Sequence, residues 1–245
     1  MSFNLKKRYS QNFLIDKNIL NKIIKLINSE NLNILEIGPG NGKLTDGIIL
    51  KKPSLLTLIE IDSDLIKYLS QKYSFYKKIN LINADILDYE IKDYYQLIIS
   101  NLPYNISSQI LVKLSTMRKQ PDTLILMFQK EFAQRLLDKK LNSINSLIKC
   151  FYNIKLNFNV SKNCYRPIPK VDSSVLTFNK LKRKIIKINE INKFIIFKRN
   201  LFSHKRKSLK NLLKKYDLKN EFDLNLRVED LNLDELVKIF RATSS

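Results

Sequence analysis

The stretch ILEIGPGNG, residues 34–42, decides how the rest of this chain is read. A run of strand character, Ile34 to Ile37, apolar apart from the acid Glu36 two residues before the turn, ends in glycine at positions 38, 40 and 42. Without side chains these positions can take positive φ and let the backbone approach a ligand closely. The chain has four glycines in 245 residues, and all four, Gly38, Gly40, Gly42 and Gly47, fall within ten residues of one another. Dinucleotide sites carry GxGxxG, whereas the spacing here is GxGxG, which suits a cofactor with no pyrophosphate to cradle and favours S-adenosylmethionine. A plain strand-to-helix turn would use the same residues, so the neighbouring elements decide.

Four runs rich in Ile and Leu, NILEIG (33–38), SLLTLIEID (54–62), INLINADIL (79–87) and YQLIISN (95–101), alternate with helix-like or polar segments. DTLILMF (122–128) adds a fifth. Near-continuous apolar runs of this kind predict parallel strands covered by helices on both faces, an α/β fold of Rossmann-like type. Ahead of them, residues 16–28 place Ile19, Leu20, Ile23, Ile24 and Ile27 on one helical face behind Asp16 as N-cap. Ile106, Ile110, Leu111, Leu114 and Met117 return to helical spacing. NFNV (157–160) and SSVLTFN (173–179) read as a late antiparallel pair. From about residue 180 the periodicity is helical only, and Asn232 with Glu235 forms a capping-box pattern. The expected domains are an α/β part over 1–180 and a small, basic, all-helical part over 181–245.

Two acids extend the glycine-turn reading. Glu60, twenty residues after Gly40, ends the second run, where a carboxylate can accept both hydroxyls of a ribose. Asp85 follows the third, where it can accept from the exocyclic amine of an adenine. Both fall at the carboxyl ends of parallel strands, the edge at which open α/β sheets bind ligands. The fourth run ends in Asn101-Leu102-Pro103-Tyr104. An aromatic amine is a poor nucleophile because its lone pair is delocalised. Acceptance of its two hydrogens by the Asn101 side-chain oxygen and the Leu102 carbonyl favours a tetrahedral nitrogen able to attack a sulfonium methyl. Pro103 stiffens the turn, and Tyr104 offers a face on which an extruded base can stack. Positioning and electrostatics carry such a reaction, without a strong base.

These motifs, ILEIGPGNGKLT, IEID, NADIL and SNLPYNIS, with QNFLID ahead and FQKEFAQRL and YRPIPKVDSSVL behind, resemble the KsgA (RsmA) family of ribosomal RNA adenine dimethyltransferases. The likeness covers nearly the whole chain. It implies a class I S-adenosylmethionine-dependent methyltransferase domain followed by a helical RNA-binding domain. FSHKRKSLKNLL and LRVEDLNLDEL resemble the family's C-terminal domain and argue against the related erythromycin-resistance methylases. By resemblance, Asn12 and Leu14 would close over the cofactor, Gly38 would lie against its methionine part, Glu60 would bind the ribose and Asp85 the adenine amine. Asn101 would bridge cofactor and target. Tyr104 and Tyr165, the latter where the family usually has Phe, would sandwich the target adenine. The implied product is dimethylated 6-amino groups on two adjacent adenosines in the 3′-terminal hairpin of small-subunit rRNA. Two departures stand out: Ser10 replaces the Gly common before QNFL, and DKKLNSINSL (138–147) replaces a stretch with glycine and tyrosine.

Charge agrees with a polyanionic partner. Forty-four basic residues against 23 acidic ones leave +21. Uniform compositional drift would spread that excess, yet residues 180–215 hold fourteen Lys or Arg against one acid, Glu190. Arg199, Lys205, Arg206 and Lys207 suit the phosphates of a folded RNA, and His204 belongs to the same face. Cys150, Cys164 and a single histidine cannot form a usual zinc site, and the paired-cysteine pattern of zinc deaminases is absent. The N-terminus has no apolar signal segment and no run reads as a membrane span, so a metal-free, cytoplasmic protein, monomeric by default, is expected. Two other functions remain open: large-subunit rRNA methylation of the resistance type, and a non-catalytic RNA-binding assembly or transcription factor on the same fold.

Overall fold

A computed structural model describes residues 12–216, 218 and 222–243. The strands are β1 (Phe13–Leu14), β2 (Asn33–Ile37), β3 (Leu55–Glu60), β4 (Ile79–Asn83), β5 (Leu97–Asn101), β6 (Thr123–Gln129), β7 (Tyr152–Val160), β8 (Tyr165–Arg166) and β9 (Ser173–Lys180). The helices are α1 (Lys17–Lys25), α2 (Lys43–Ile49), α3 (Ser63–Lys72), α4 (Ser107–Thr116), α5 (Lys130–Leu137), α6 (Asn145–Ile148), α7 (Ile191–Ser203), α8 (Leu209–Leu212) and α9 (Leu233–Thr243). Two compact groupings of contacts emerge. One comprises the described residues up to Ala133 with Ile154–Lys180, and the other Gln134–Asn153 with the described residues from Leu181 on.

In the first unit the sheet runs β4-β3-β2-β5-β6-β9-β7. Strands β2 to β6 pair in parallel, and β9 returns antiparallel to β6. The central strands are apolar along their length because helices cover both faces: Ile34, Leu35, Leu56, Leu58, Ile98 and Leu124 are each buried. From β2 the chain moves outward through β3 to β4, then crosses to the other side of β2 to form β5. The carboxyl ends of β2 and β5 therefore flank the topological switch point, where open α/β sheets place ligands. The Ser100 hydroxyl donates to the Ile37 carbonyl at 2.6 Å and ties these two strand ends together.

Helix α1 starts at Asp16, whose carboxylate accepts from the amides of Asn18 (2.8 Å) and Ile19 (3.0 Å), and it buries Leu20 and Ile23. The predicted strand INLINADIL shortens to β4, since the chain turns at Asp85 to bond Leu87. The run NFNV lengthens to the nine-residue β7, an edge strand whose mixed exposure gives little apolar signal. The two-residue pair β1–β8 matches Leu14 with Tyr165 and Phe13 with Arg166.

The second unit is helical among the described residues outside the start of β7. Asn232 and Glu235 cap α9 reciprocally, at 2.8 and 2.9 Å. Phe240 of α9 meets Phe194 and Phe197 of α7 edge-on or tilted, with centroids 5.2 and 5.4 Å apart. The segment 138–147 is organised by two asparagines, Asn142 and Asn145. The two hydrogens of the Asn145 side-chain nitrogen are shared among the carbonyls of Arg135, Asp138 and Lys140, and Asn142 Oδ1 accepts from the backbone amides of Ile144 and Asn145. Lys198 buries its ammonium against the Ser143 carbonyl and hydroxyl, and burial pulls its pKa down to about 8.

Candidate active site

The turn after β2 takes positive φ at Gly38 (65°), Gly40 (58°) and Gly42 (78°). At Gly40 the left-handed conformation is joined by close packing, because a Cβ there would lie 2.7 Å from the Phe13 ring. Phe13 and Asn12 line the same cleft, so the segment before α1 lies against the glycine turn. Behind the turn, the single Tyr73 hydroxyl hydrogen is shared between the Gly42 carbonyl (2.8 Å) and Asp46 (2.7 Å), while the Lys72 ammonium pairs with Asp46 at 2.7 Å.

Three carboxylates stand around this turn in different states. Glu60 is 6% exposed, and it accepts from the amide of Gly40 at 3.1 Å and of Asp62 at 3.0 Å. Burial raises its pKa, and the two backbone bonds oppose that shift. Each oxygen keeps a further lone pair for a ligand hydroxyl. Asp85 is half-buried; one oxygen accepts from the Leu87 amide at 2.8 Å, and the residue lines the cleft. Glu36 is almost fully buried, accepts from the Thr45 hydroxyl at 2.7 Å, and has its pKa raised to about 8, mainly by burial.

The protonation of Glu36 makes stability depend on pH. Its carboxyl holds a proton up to about pH 8 in the folded chain, against an ordinary 4.5. Folding therefore takes up a proton between those values, and stability falls as pH rises through that window. Glu36→Gln, which cannot ionise, is expected to flatten the fall. Melting temperatures at pH 5 and pH 8.5 check it: the wild type should lose more than the variant, and equal losses would mean Glu36 does not titrate there.

On the other side of the switch point, Asn101 closes β5. Its Nδ2 donates to the Asn12 carbonyl at 3.1 Å. A carbonyl can only accept, so the amide nitrogen must face Asn12 and Oδ1 is turned away from it. Leu102 is buried by its side chain, and the turn closes on other carbonyls: Pro103 accepts from the Ile106 amide (3.3 Å) and Tyr104 from the Ser107 hydroxyl (3.2 Å). Tyr104 is half-buried, with its hydroxyl 2.6 Å from Ser173 Oγ.

One cleft is thus lined by Asn12, Leu14, Gly38, Gly40, Glu60, Asp85, Asn101, Leu102, Pro103 and Tyr104, residues spread over 93 positions of sequence. Tyr165 is not among its lining. That ring is fully enclosed, its hydroxyl bonded to Ser173 Oγ at 3.0 Å and to Met127 Sδ at 2.9 Å, and in this conformation it presents no face to the cleft. Arg199, Lys205, Arg206 and Lys207 are all exposed in the second unit. Ser10 lies outside the described residues. Sequence reasoning missed Phe13, Thr45 and Ser173, whose roles arise from packing and burial. Among the described residues no group of His, Cys, Asp and Glu could hold a metal ion, and no helix is long and apolar enough to cross a membrane.

The sequence matches the family described as ribosomal RNA adenine dimethylase over residues 2–244. Among curated proteins, it is 38% identical over 250 residues to the ribosomal RNA small subunit methyltransferase A of Mycoplasmopsis pulmonis, covering 96% of this chain and 97% of that one. The protein of the same name from Mycoplasma mobile is 41% identical over 230 residues, covering 91% and 87%. In structure the chain resembles a dimethyladenosine transferase from Plasmodium falciparum, with a TM-score of 0.82, 24% identity and 93% and 95% of the two chains covered. The 23S rRNA methyltransferase ErmE shares the fold at a TM-score of 0.75 and 21% identity, covering 95% and 100%.

Proposed function

The chain belongs to the ribosomal RNA adenine dimethylase family, and from that premise we propose that it transfers methyl groups from S-adenosylmethionine to the 6-amino groups of two adjacent adenosines in the 3′-terminal hairpin of small-subunit (16S) rRNA, in the cytoplasm during subunit assembly. The observation that carries this reading is the meeting, at one switch point, of the glycine turn, Glu60 and Asp85 with Asn101-Leu102-Pro103-Tyr104.

The residues present fit the cofactor. Gly38 and Gly40 line the cleft with backbone in the left-handed conformation, and Glu60 retains lone pairs for ribose hydroxyls. Asp85 can accept from an adenine amine with the oxygen that Leu87 does not use. Asn12, Phe13 and Leu14 lie along the same cleft and help to exclude water. When bound, the cofactor supplies an electrophilic methyl group on a sulfonium.

Asn101 Oδ1 and the Leu102 carbonyl accept the two hydrogens of the target amine. This draws the nitrogen toward tetrahedral geometry and restores its lone pair. Tyr104 holds the base by stacking, which is worth ~1–3 kcal/mol for an aromatic platform. The same two acceptors stabilise the positive charge that develops on nitrogen, and the proton then passes to solvent. A pure binding protein has no use for this set of acceptors beside a cofactor cradle, which weighs against the assembly-factor reading. The small-subunit names of the curated relatives weigh against the resistance-type alternative.

Reverse transcription tests the substrate. An adenine with two methyl groups on its amine has no hydrogen left for Watson–Crick pairing, so copying halts there. After incubation of unmodified subunits with the protein and S-adenosylmethionine, halts are expected at two adjacent adenosines near the 3′ end of small-subunit rRNA. Halts confined to large-subunit rRNA would favour the resistance-type activity.

The basic cluster supplies the RNA grip in this reading. Replacing Arg199, Lys205, Arg206 and Lys207 together by glutamine is expected to flatten the slope of log affinity against log salt by about 3, from roughly 0.7–0.9 per phosphate contact. Cofactor affinity should stay unchanged. An unaltered slope in filter-binding titrations would remove the cluster from RNA contact.

A further inference from the structure

Tyr104 and Tyr165 share a buried hydroxyl between them, and their phenols also interact with each other directly. Ser173, the first residue of β9, is fully buried, with Oγ 2.6 Å from Tyr104 Oη and 3.0 Å from Tyr165 Oη. Tyr165 Oη lies a further 2.9 Å from Met127 Sδ. Ser173 does not line the cleft, so cofactor binding gives no account of it.

Counting protons shows what this hydroxyl does. Three hydroxyls hold three hydrogens, and a thioether sulfur can only accept. Tyr165 donates to Ser173 Oγ, and the Ser173 hydroxyl then either donates to Tyr104 or accepts a second hydrogen from it. In both arrangements Ser173 is the shared partner of the two phenols. Burial raises the pKa of both tyrosines, so both remain neutral phenols with a hydrogen to give.

The placement of Ser173 is rigid where that of Tyr104 is not. Ser173 pairs with Gln129 in the β6–β9 ladder, and just before it the Asp172 carbonyl accepts from the Lys130 amide at 2.9 Å. Asp172 Oδ1 also accepts from the Lys162 amide at 2.9 Å. Tyr104 sits on the loop between β5 and α4, held by its hydroxyl at one end and its backbone at the other. A serine fixed to the sheet therefore sets the plane of a ring carried by a loop.

We propose that Ser173 is a positioning residue for methyl transfer, orienting the Tyr104 ring on which the target adenine stacks through a hydroxyl chain that ends at Tyr165 and Met127. This rests on the reading of Tyr104 as the stacking platform. A misplacement of the ring moves the amine relative to its two acceptors, which lowers the rate of the chemical step more than it weakens capture of the large RNA substrate.

Ser173→Ala alone also takes one partner from the buried Tyr165 hydroxyl, so the informative comparison is Ser173→Ala/Tyr165→Phe against Tyr165→Phe. With both melting alike, the added Ser173→Ala is expected to lower kcat on unmodified small subunits roughly tenfold and leave KM within about twofold. With 2-aminopurine at the target position of a hairpin RNA, its fluorescence should be less quenched in the double variant, reporting poorer stacking. Tyr104→Phe should produce the same loss, and adding it to the double variant should cost little more, because the two changes cut one chain. Unchanged kcat in the double variant, or losses that simply add, would overturn the inference and leave Ser173 a structural hydroxyl. A wild type that transfers no methyl groups would instead overturn the underlying reading, and the two failures are distinguished by wild-type activity.

Discussion

Asn101→Ala is expected to slow methyl transfer by roughly 10²–10³-fold, the range found when one preorganised electrostatic partner is removed from a transition state. Alanine deletes the acceptor that draws one hydrogen from the target amine, so the lone pair stays delocalised into the ring. It also deletes the bond from Nδ2 to the Asn12 carbonyl. Asn101→Asp separates the two effects. It keeps an acceptor toward the target yet sets a carboxylate oxygen against the Asn12 carbonyl, where the wild type has a donor. Both variants should therefore be poor catalysts, with the aspartate also weakening closure of the Asn12–Leu14 segment over the cleft. Calorimetric titration with S-adenosylmethionine should find affinity for Asn101→Ala reduced by less than about tenfold, far short of the rate loss. An affinity loss as large as the rate loss would make Asn101 a binding residue and would take the amine acceptor away from it.

Glu60→Ala is the second change of large effect, and it acts on the cofactor. The carboxylate holds the Gly40 and Asp62 amides at 3.1 and 3.0 Å and has lone pairs left for the ribose. Hydrogen bonds to a charged group contribute ~1.5–3 kcal/mol each. Losing those to the ribose is expected to weaken S-adenosylmethionine binding by roughly 100-fold, about 3 kcal/mol. The amides of Gly40 and Asp62 are stranded as well, so the melting temperature of the ligand-free protein should also drop. Glu60→Gln is not a benign replacement, because its NH₂ would face one of those backbone donors. Wild-type affinity in Glu60→Ala, measured by calorimetry, would detach Glu60 from the cofactor.

The parts of the fold legible in the sequence are those with a local cause. Strands β2, β3, β5 and β6 are buried on both faces, so apolar residues run through them with few interruptions, Glu36 and Thr57 among them, and the glycines mark the turn that needs positive φ at Gly38, Gly40 and Gly42. Asp16 and Asn232 announce helix starts because a side chain can bond its own neighbours. The pair β1–β8 left no such trace: Leu14 meets Tyr165 across about 150 positions, and two-residue strands have no period to detect. Ser173 illustrates the same limit at the site. In DSSV it reads as a polar residue at a strand start, and only the approach of Tyr104 from a distant loop turns it into a shared partner. The enclosure of Tyr165 is likewise a packing outcome, since an aromatic before Arg-Pro reads equally well as exposed. Glu36 was visible as an acid before the turn, but its raised pKa follows from burial that no local pattern encodes.

The most direct measurement is mass spectrometry of nucleosides from small-subunit rRNA, taken from unmodified particles incubated with wild-type protein and S-adenosylmethionine. Two adenosines per particle are expected to become N6,N6-dimethyladenosine, with incorporated methyl groups approaching four at completion. Unmodified adenosine at both positions after incubation with folded protein that binds the RNA would contradict that expectation, and would leave a nucleic-acid-binding protein on a methyltransferase fold.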